Sequence, residues 1–312
     1  MTAQLAGMIA AQAAVIRGLA DDDRTGPAAA RLAGARRIWL IGTGSSLHAA
    51  ELGAAELTAA GHDARWTAAN AFTRDLVRDG DAAVVITHTG QTAYARRSRR
   101  IALDAGLPLV AVTGPGADWP EAVRTPLAEK SETYTVSYTA ALTVLAQIAH
   151  HLGSPGRPDA VRAVAGLLGE EPGEVPAPAR AMAIVGPGPW SVTAREGALK
   201  IREGARILCE GFDPDRLLHG GAVPYTAADT LLVLQPTADP DELTTALRHA
   251  AVLERLQVAT LTTAAATGSV LLDQIPMTVQ LQRLALRFAR QRGQNADLAI
   301  TGAWADPDLW PG

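Results

Sequence analysis

Short apolar runs of strand length alternate with stretches of helical periodicity along most of the chain. Arg37-Ile-Trp-Leu-Ile41, Ala82-Ala-Val-Val-Ile86, Leu107-Pro-Leu-Val-Ala-Val112 and Ala181-Met-Ala-Ile-Val185 are runs of the first kind. Unbroken apolar runs of this length suit inner strands covered on both faces. Helical stretches run from Leu47 to about Ala60, from Tyr94 to Ala105 and from about Ala140 to Leu152. Strand and helix in alternation predict an α/β fold with parallel, doubly wound sheets flanked by helices. Residues 1–34, rich in Ala and Leu and interrupted by Asp21-Asp-Asp23, predict one or two lead-in helices without a motif.

The pattern then repeats. Arg37-Ile-Trp-Leu-Ile-Gly42-Thr-Gly44 and Ala181-Met-Ala-Ile-Val-Gly186-Pro-Gly188 match at an offset of 144 residues, and Asp81-Ala-Ala-Val-Val and Asp229-Thr-Leu-Leu-Val at 148. An internal duplication follows, giving two tandem αβα units over 35–152 and 180–312. Gly153-Ser-Pro-Gly and Glu170-Glu-Pro-Gly-Glu-Val-Pro-Ala-Pro predict a linker at 153–179. The copies have diverged at one turn, where Thr87-His-Thr-Gly-Gln-Thr92 faces Gln235-Pro-Thr-Ala-Asp-Pro240, poorer in hydroxyls and lacking the glycine.

Composition narrows the function classes. The 312 residues are 48% hydrophobic, 4% aromatic and 19% charged, as in a globular protein packed with Ala, Val and Leu. A net charge of −4 gives no electrostatic case for nucleic acid or an anionic membrane. The N-terminus has no basic n-region and no apolar run reaches spanning length, so a cytoplasmic protein is expected. The single cysteine, Cys209, excludes an internal disulfide and reads as packing rather than nucleophile. Lysine occurs only at 130 and 200, which leaves two candidates for any amine chemistry.

Two turns and one helix carry the candidate chemistry. Gly42-Thr-Gly44-Ser45-Ser46 lies between a strand and a helix, where free backbone N–H groups face an anion and serine hydroxyls add donors. Leu47 replaces the third glycine of a dinucleotide fingerprint, so no nicotinamide cofactor is expected. Thr87-His88-Thr89-Gly90-Gln91-Thr92 is a second hydroxyl-rich turn, and turns on successive strands converge on one sheet edge. Each could equally be an ordinary helix cap. In the second copy, Glu196, Lys200 and Glu203 stand at i, i+4 and i+7 on one helix face. On the helix alone this suits a solvent-exposed ion pair as well as a ligand-facing stripe; its place after a strand end favours the latter.

These residues resemble the double sugar-isomerase (SIS) family, in the pattern of the isomerase half of glutamine–fructose-6-phosphate aminotransferase and without its glutaminase domain. The likeness covers roughly 35–300. The family's L-E-G-A-L-K-x-K-E helix matches Arg195-Glu-Gly-Ala-Leu-Lys-Ile-Arg-Glu203, and its K-H-G matches Leu218-His219-Gly220 at the same sixteen-residue distance. The resemblance implies a sugar phosphate held by Ser45, Ser46, Thr87, His88, Thr89 and Thr92, with Gly44, Glu196 and Ser137 near the sugar. It implies that Glu203 moves a proton between C1 and C2, His219 opens the ring, and Lys200 assists at the C1 oxygen. It also implies a homodimer whose neighbouring subunit supplies the histidine; no metal or cofactor is expected. Two departures stand out. The family's R-N-L-A-K tail, whose lysine forms a Schiff base with the ketose, reads Asn295-Ala-Asp-Leu-Ala-Ile300 here. The sugar-contacting segment, Thr133-Tyr-Thr-Val-Ser-Tyr-Thr139, runs about three residues shorter after Glu132. A substrate that brings its own nitrogen is therefore expected, a ketosamine or amino-sugar phosphate undergoing deglycation or deamination. Aldose–ketose isomerisation and non-catalytic sensing are the alternatives.

Overall fold

The computed structural model describes residues 3–236 and 243–309. A first parallel sheet contains β1 (Arg37–Gly42), β2 (Ala64–Ala68), β3 (Asp81–Thr87), β4 (Leu109–Thr113) and β5 (Ala122–Arg124) in the order β2-β1-β3-β4-β5. A second contains β6 (Ala181–Val185), β7 (Leu208–Phe212), β8 (Thr230–Gln235) and β9 (Gln257–Thr262) in the order β7-β6-β8-β9. Every strand pairing is parallel. The apolar runs of β1, β3, β4, β6 and β8 became these inner strands because both their faces are buried. The half-exposed strands β2, β5, β7 and β9 lack such runs and left no signal in the hydropathy pattern.

Helices α1 (Ala3–Leu19), α2 (Thr25–Leu32), α3 (Ser45–Ala59), α4 (Ala93–Asp104), α5 (Val136–His151), α6 (Pro158–Leu167), α7 (Trp190–Ala205), the short α8 (Pro214–Arg216), α9 (Leu243–Leu253) and α10 (Val270–Gln291) complete the described chain. The duplication is visible atom by atom. A Cβ on Gly42 would meet the Ser46 carbonyl at 2.2 Å, and one on Gly186 the Trp190 carbonyl at 2.7 Å. Two residues on, Gly44 and Gly188 turn with φ of 57° and 51°, a region glycine enters without steric cost. Of the diverged turn in the second copy, residues 237–240 lie outside the described residues.

One apolar core fills the space between the sheets. It joins Leu40 and Ile86 of the first sheet to Ile184 and Leu232 of the second through α1, α3, α5, α7 and α10. Smaller cores cover the outer faces, around Phe72 and Trp119 in one half and Val185 and Leu247 in the other. The first thirty-odd residues belong to the shared core, with Leu5, Ile16 and Leu32 buried in it. A buried polar chain ties three helices there: Thr139 donates to Gln12, and Gln12 donates to Gln282 at 2.8 Å. Residues 153–179 hold α6, whose Val161 and Val164 are buried. The proline-rich remainder is pinned by Arg283 and Arg287 of α10, which donate to the carbonyls of Leu168 and Gly173.

Candidate active site

The C-terminal ends of β1 and β3 open on a cavity of about 520 Å³ between the two halves. Its walls include Gly44, Ser45, Ser46, Thr87, His88, Thr89, Thr92, Ser137, Lys200 and Glu203, so ten of the twelve predicted site residues meet at one place. Glu196 is fully buried behind Ser45. His219 is elsewhere on its own chain, 73% exposed, with Nε2 3.5 Å from Asp215.

The first-half turns form a hydroxyl-rich cup. Gly44 leads into the first turn of α3, and Thr92 precedes α4, so two helix N-termini point into the same space with their positive dipole ends. His88 does not add a cation. Burial holds its imidazole below the ordinary histidine range. Nε2 accepts the backbone N–H of Glu129 at 3.1 Å, which puts the ring proton on Nδ1. The ring also meets Tyr134 edge-on at 5.5 Å. These contacts tie the wall of the cup to the 129–139 segment.

Helix α7 supplies the charged wall. Its stripe is buried after all, because Ala194, Ala198 and Ile201 on the flanking positions pack into the common core and carry the charged face in with them. Lys200 Nζ sits 2.6 Å from Glu203 and 3.7 Å from Glu196. Glu196 is held from across the halves: Ser45 donates to one oxygen at 2.9 Å, and His48 Nδ1 lies 2.7 Å from the other. Burial works against its charge, yet Lys200, His48 and Ser45 outweigh burial and hold the carboxyl below its ordinary range. For Lys200 burial is likewise the largest influence, but Glu203 and Glu196 together keep the ammonium charged beyond its usual pH. Glu203 goes the other way. Burial pushes its carboxyl up, and Lys200 only partly offsets this. The result is one fixed anion, one fixed cation and one carboxyl poised toward neutrality, the last facing the cavity. A carboxyl tuned upward is suited to taking and returning a proton near neutral pH.

Sequence reasoning missed several members of the site. Glu129 accepts the backbone N–H groups of Thr135 and Ser137 at 2.7 and 2.8 Å, which starts α5 at Val136, four residues before the predicted Ala140. The β-branched and aromatic residues there are weak helix formers, and the carboxylate supplies what propensity does not. Glu132 instead accepts from the N–H groups of Ala299 and Ile300, holding the C-terminal segment against the cavity. Tyr138 and Thr113 line the cavity with buried hydroxyl groups that find no hydrogen-bond partner among the described residues. Only the His48 partnership had a sequence signal, an imidazole one turn after the Gly44-Ser45 turn.

Among the described residues, no group of three or more His, Cys, Asp or Glu side chains is disposed to hold a metal ion, and no helix is long and apolar enough to cross a membrane. Burial pushes the Cys209 thiol well above the range in which it would react as thiolate.

No family model and no curated protein matches the chain. Solved structures do. Glucosamine-6-phosphate deaminase from Thermotoga maritima superimposes with a TM-score of 0.74 at 16% identity, over 94% of this chain and 96% of that one. The C-terminal domain of glucosamine-fructose-6-phosphate aminotransferase from Francisella tularensis gives 0.75 at 18%, over 94% and 98%. Tagatose-6-phosphate ketose/aldose isomerase from Escherichia coli gives 0.77 at 16%, over 96% of each. The fold is that of SIS-type phosphosugar isomerases along nearly its whole length.

Proposed function

We propose that this protein, built on a fold shared with phosphosugar isomerases and a deaminase, is a sugar-phosphate enzyme that acts on a ketosamine or amino-sugar phosphate. The observation that carries the reading is the Lys200–Glu203 pair facing the hydroxyl cup across one cavity. The phosphate sits in the cup, held by Ser45, Ser46 and the 87–92 turn, with each hydrogen bond to its charged oxygens contributing roughly 1.5–3 kcal/mol before desolvation. Glu203 lies within reach of the far end of the sugar. For a 1-amino-ketose 6-phosphate it removes a C1 proton, giving the enolamine, and returns the proton to C2. The resulting C1 imine is hydrolysed by water to free amine and aldose phosphate. For a 2-amino-aldose the same steps run from C2 to C1 and release ammonia. Charged Lys200 stabilises the oxyanion that develops beside the double bond.

Ring opening needs an acid and base besides the proton shuttle at Glu203, and His88 in the same cavity is already engaged by the Glu129 N–H. We assign it to His219 of a second copy, because this side chain is exposed on a surface turn beside exposed Leu218 and Val223. The 35–152 and 180–312 halves are then one catalytic unit, with the cup from the first and the proton-transfer groups from the second.

The test is release of free amine from a fructosamine 6-phosphate. Glu203→Gln and His219→Ala should each lower it by about 10²–10⁴-fold, and mixing the two inactive variants should restore part of it through hybrid dimers. Interconversion of nitrogen-free hexose phosphates alone would favour the aldose–ketose reading, for which the open Lys200–Glu203 geometry serves equally. Sugar-phosphate binding without any turnover would leave a sensor.

A further inference from the structure

Along α7 the cavity has an order. Glu196, at one end, is tied to Ser45 of the cup. Glu203, two turns and about 10 Å further along the axis, adjoins the C-terminal segment: a methyl group on Gly204 would lie 3.4 Å from Ala296 Cβ. Beyond the reacting groups the cavity continues against Ala299, Ile300 and Ala305. This third zone is apolar, and it is built rather than loose. Glu132 accepts the N–H groups of Ala299 and Ile300 at 2.9 and 3.3 Å, and Arg206 donates to the carbonyls of Leu298 and Ala299. Ile300 lines the cavity and is nonetheless 41% exposed.

A sugar 6-phosphate anchored in the cup presents its C1 end at Lys200 and Glu203, so anything reaching the third zone is attached at C1. We infer that the zone is a subsite for an apolar substituent on the substrate's C1 nitrogen: an alkyl or aryl amine conjugate rather than the bare amino sugar. Its chemistry disfavours the opposite choice, since Glu132 and Glu203 stand beside it and would repel a carboxylate on the nitrogen substituent, the Arg206 guanidinium is taken up by backbone carbonyls, and among the described residues no lysine or arginine lines the cavity apart from Lys200. The inference rests on the sugar-phosphate reading above.

The test compares 1-amino-1-deoxyfructose 6-phosphate with its N-butyl and N-carboxymethyl derivatives, by calorimetric binding and by amine release. N-butyl should bind about tenfold more tightly than the unsubstituted amine, the effect of burying roughly two methylene groups, and N-carboxymethyl more weakly than both. Ile300→Asp should reverse the first ratio. Binding in this order without amine release would retain the subsite and overturn the reaction. Amine release with no preference for N-butyl, or a preference that Ile300→Asp leaves unchanged, would overturn the subsite and retain the reaction. Failure of all three compounds to bind would overturn both.

Discussion

Glu203 and Glu196 are the same residue type on one helix face, yet they are driven to opposite protonation behaviour. Glu196 has three partners and is held as an anion; Glu203 has one, Lys200, and burial prevails. The pH dependence follows with a definite sign. In the proposed reaction Glu203 must be ionised to take the proton, so activity should rise as pH climbs through its raised pKa, with an acid limb above the ordinary glutamate range. Lys200 opposes that rise. Lys200→Met should therefore move the acid limb of the kcat/KM profile to higher pH while lowering kcat, a result read from a pH–rate series; a limb that stays or moves down would remove Lys200 from this role. At this scale the sequence was informative where spacing alone defines geometry, as in the 196, 200 and 203 stripe. It was silent on His48 and Glu129, because their partners come from segments 148 and six to eight residues away and no periodicity encodes such meetings.

Elements are joined across the halves by buried carboxylates as much as by apolar packing. Glu56 of α3 is 2% exposed and accepts from Ser154, from Ser269 at 3.0 Å and from the N–H of Leu271 at 2.9 Å. It thereby closes the N-terminus of α10, where a negative charge is also favoured by the helix dipole. Glu56→Ala strands two hydroxyls and a backbone donor in the core. A loss of about 2–4 kcal/mol in unfolding free energy is expected, read as a lower urea midpoint; a change within 0.5 kcal/mol, the usual range for surface positions, would show the site relaxing around the gap. Inner strands were legible because their burial is continuous, whereas α10, the longest helix, was not read from the sequence. The start of α5 and the content of 153–179 were not, since a side-chain cap and arginine-to-carbonyl bonds hold them.

For the whole molecule, the repeat was readable from two glycine turns, and the order of the four-stranded sheet matches that of the first four strands of the other. What could not be read is how the copies face each other. Helices α3 and α7 meet across the centre, and there Arg195 donates to Glu51 at 2.7 Å. Their numbers differ by 144, the offset of the repeat itself. The two residues thus occupy equivalent positions of the two repeats. In a symmetric pair of identical single repeats, that position would have confronted an identical side chain, glutamate against glutamate or arginine against arginine. Opposite charges can meet there because the two copies lie in one chain and carry different residues at this position. The contact is then directional in sign but not in placement: Glu51→Arg and Arg195→Glu should each destabilise alone, and the exchanged double variant should recover part of the loss, with a coupling of about 0.5–3 kcal/mol from a double-mutant cycle. Strict additivity would mean that the two halves do not sense each other at the one position the repeat places face to face.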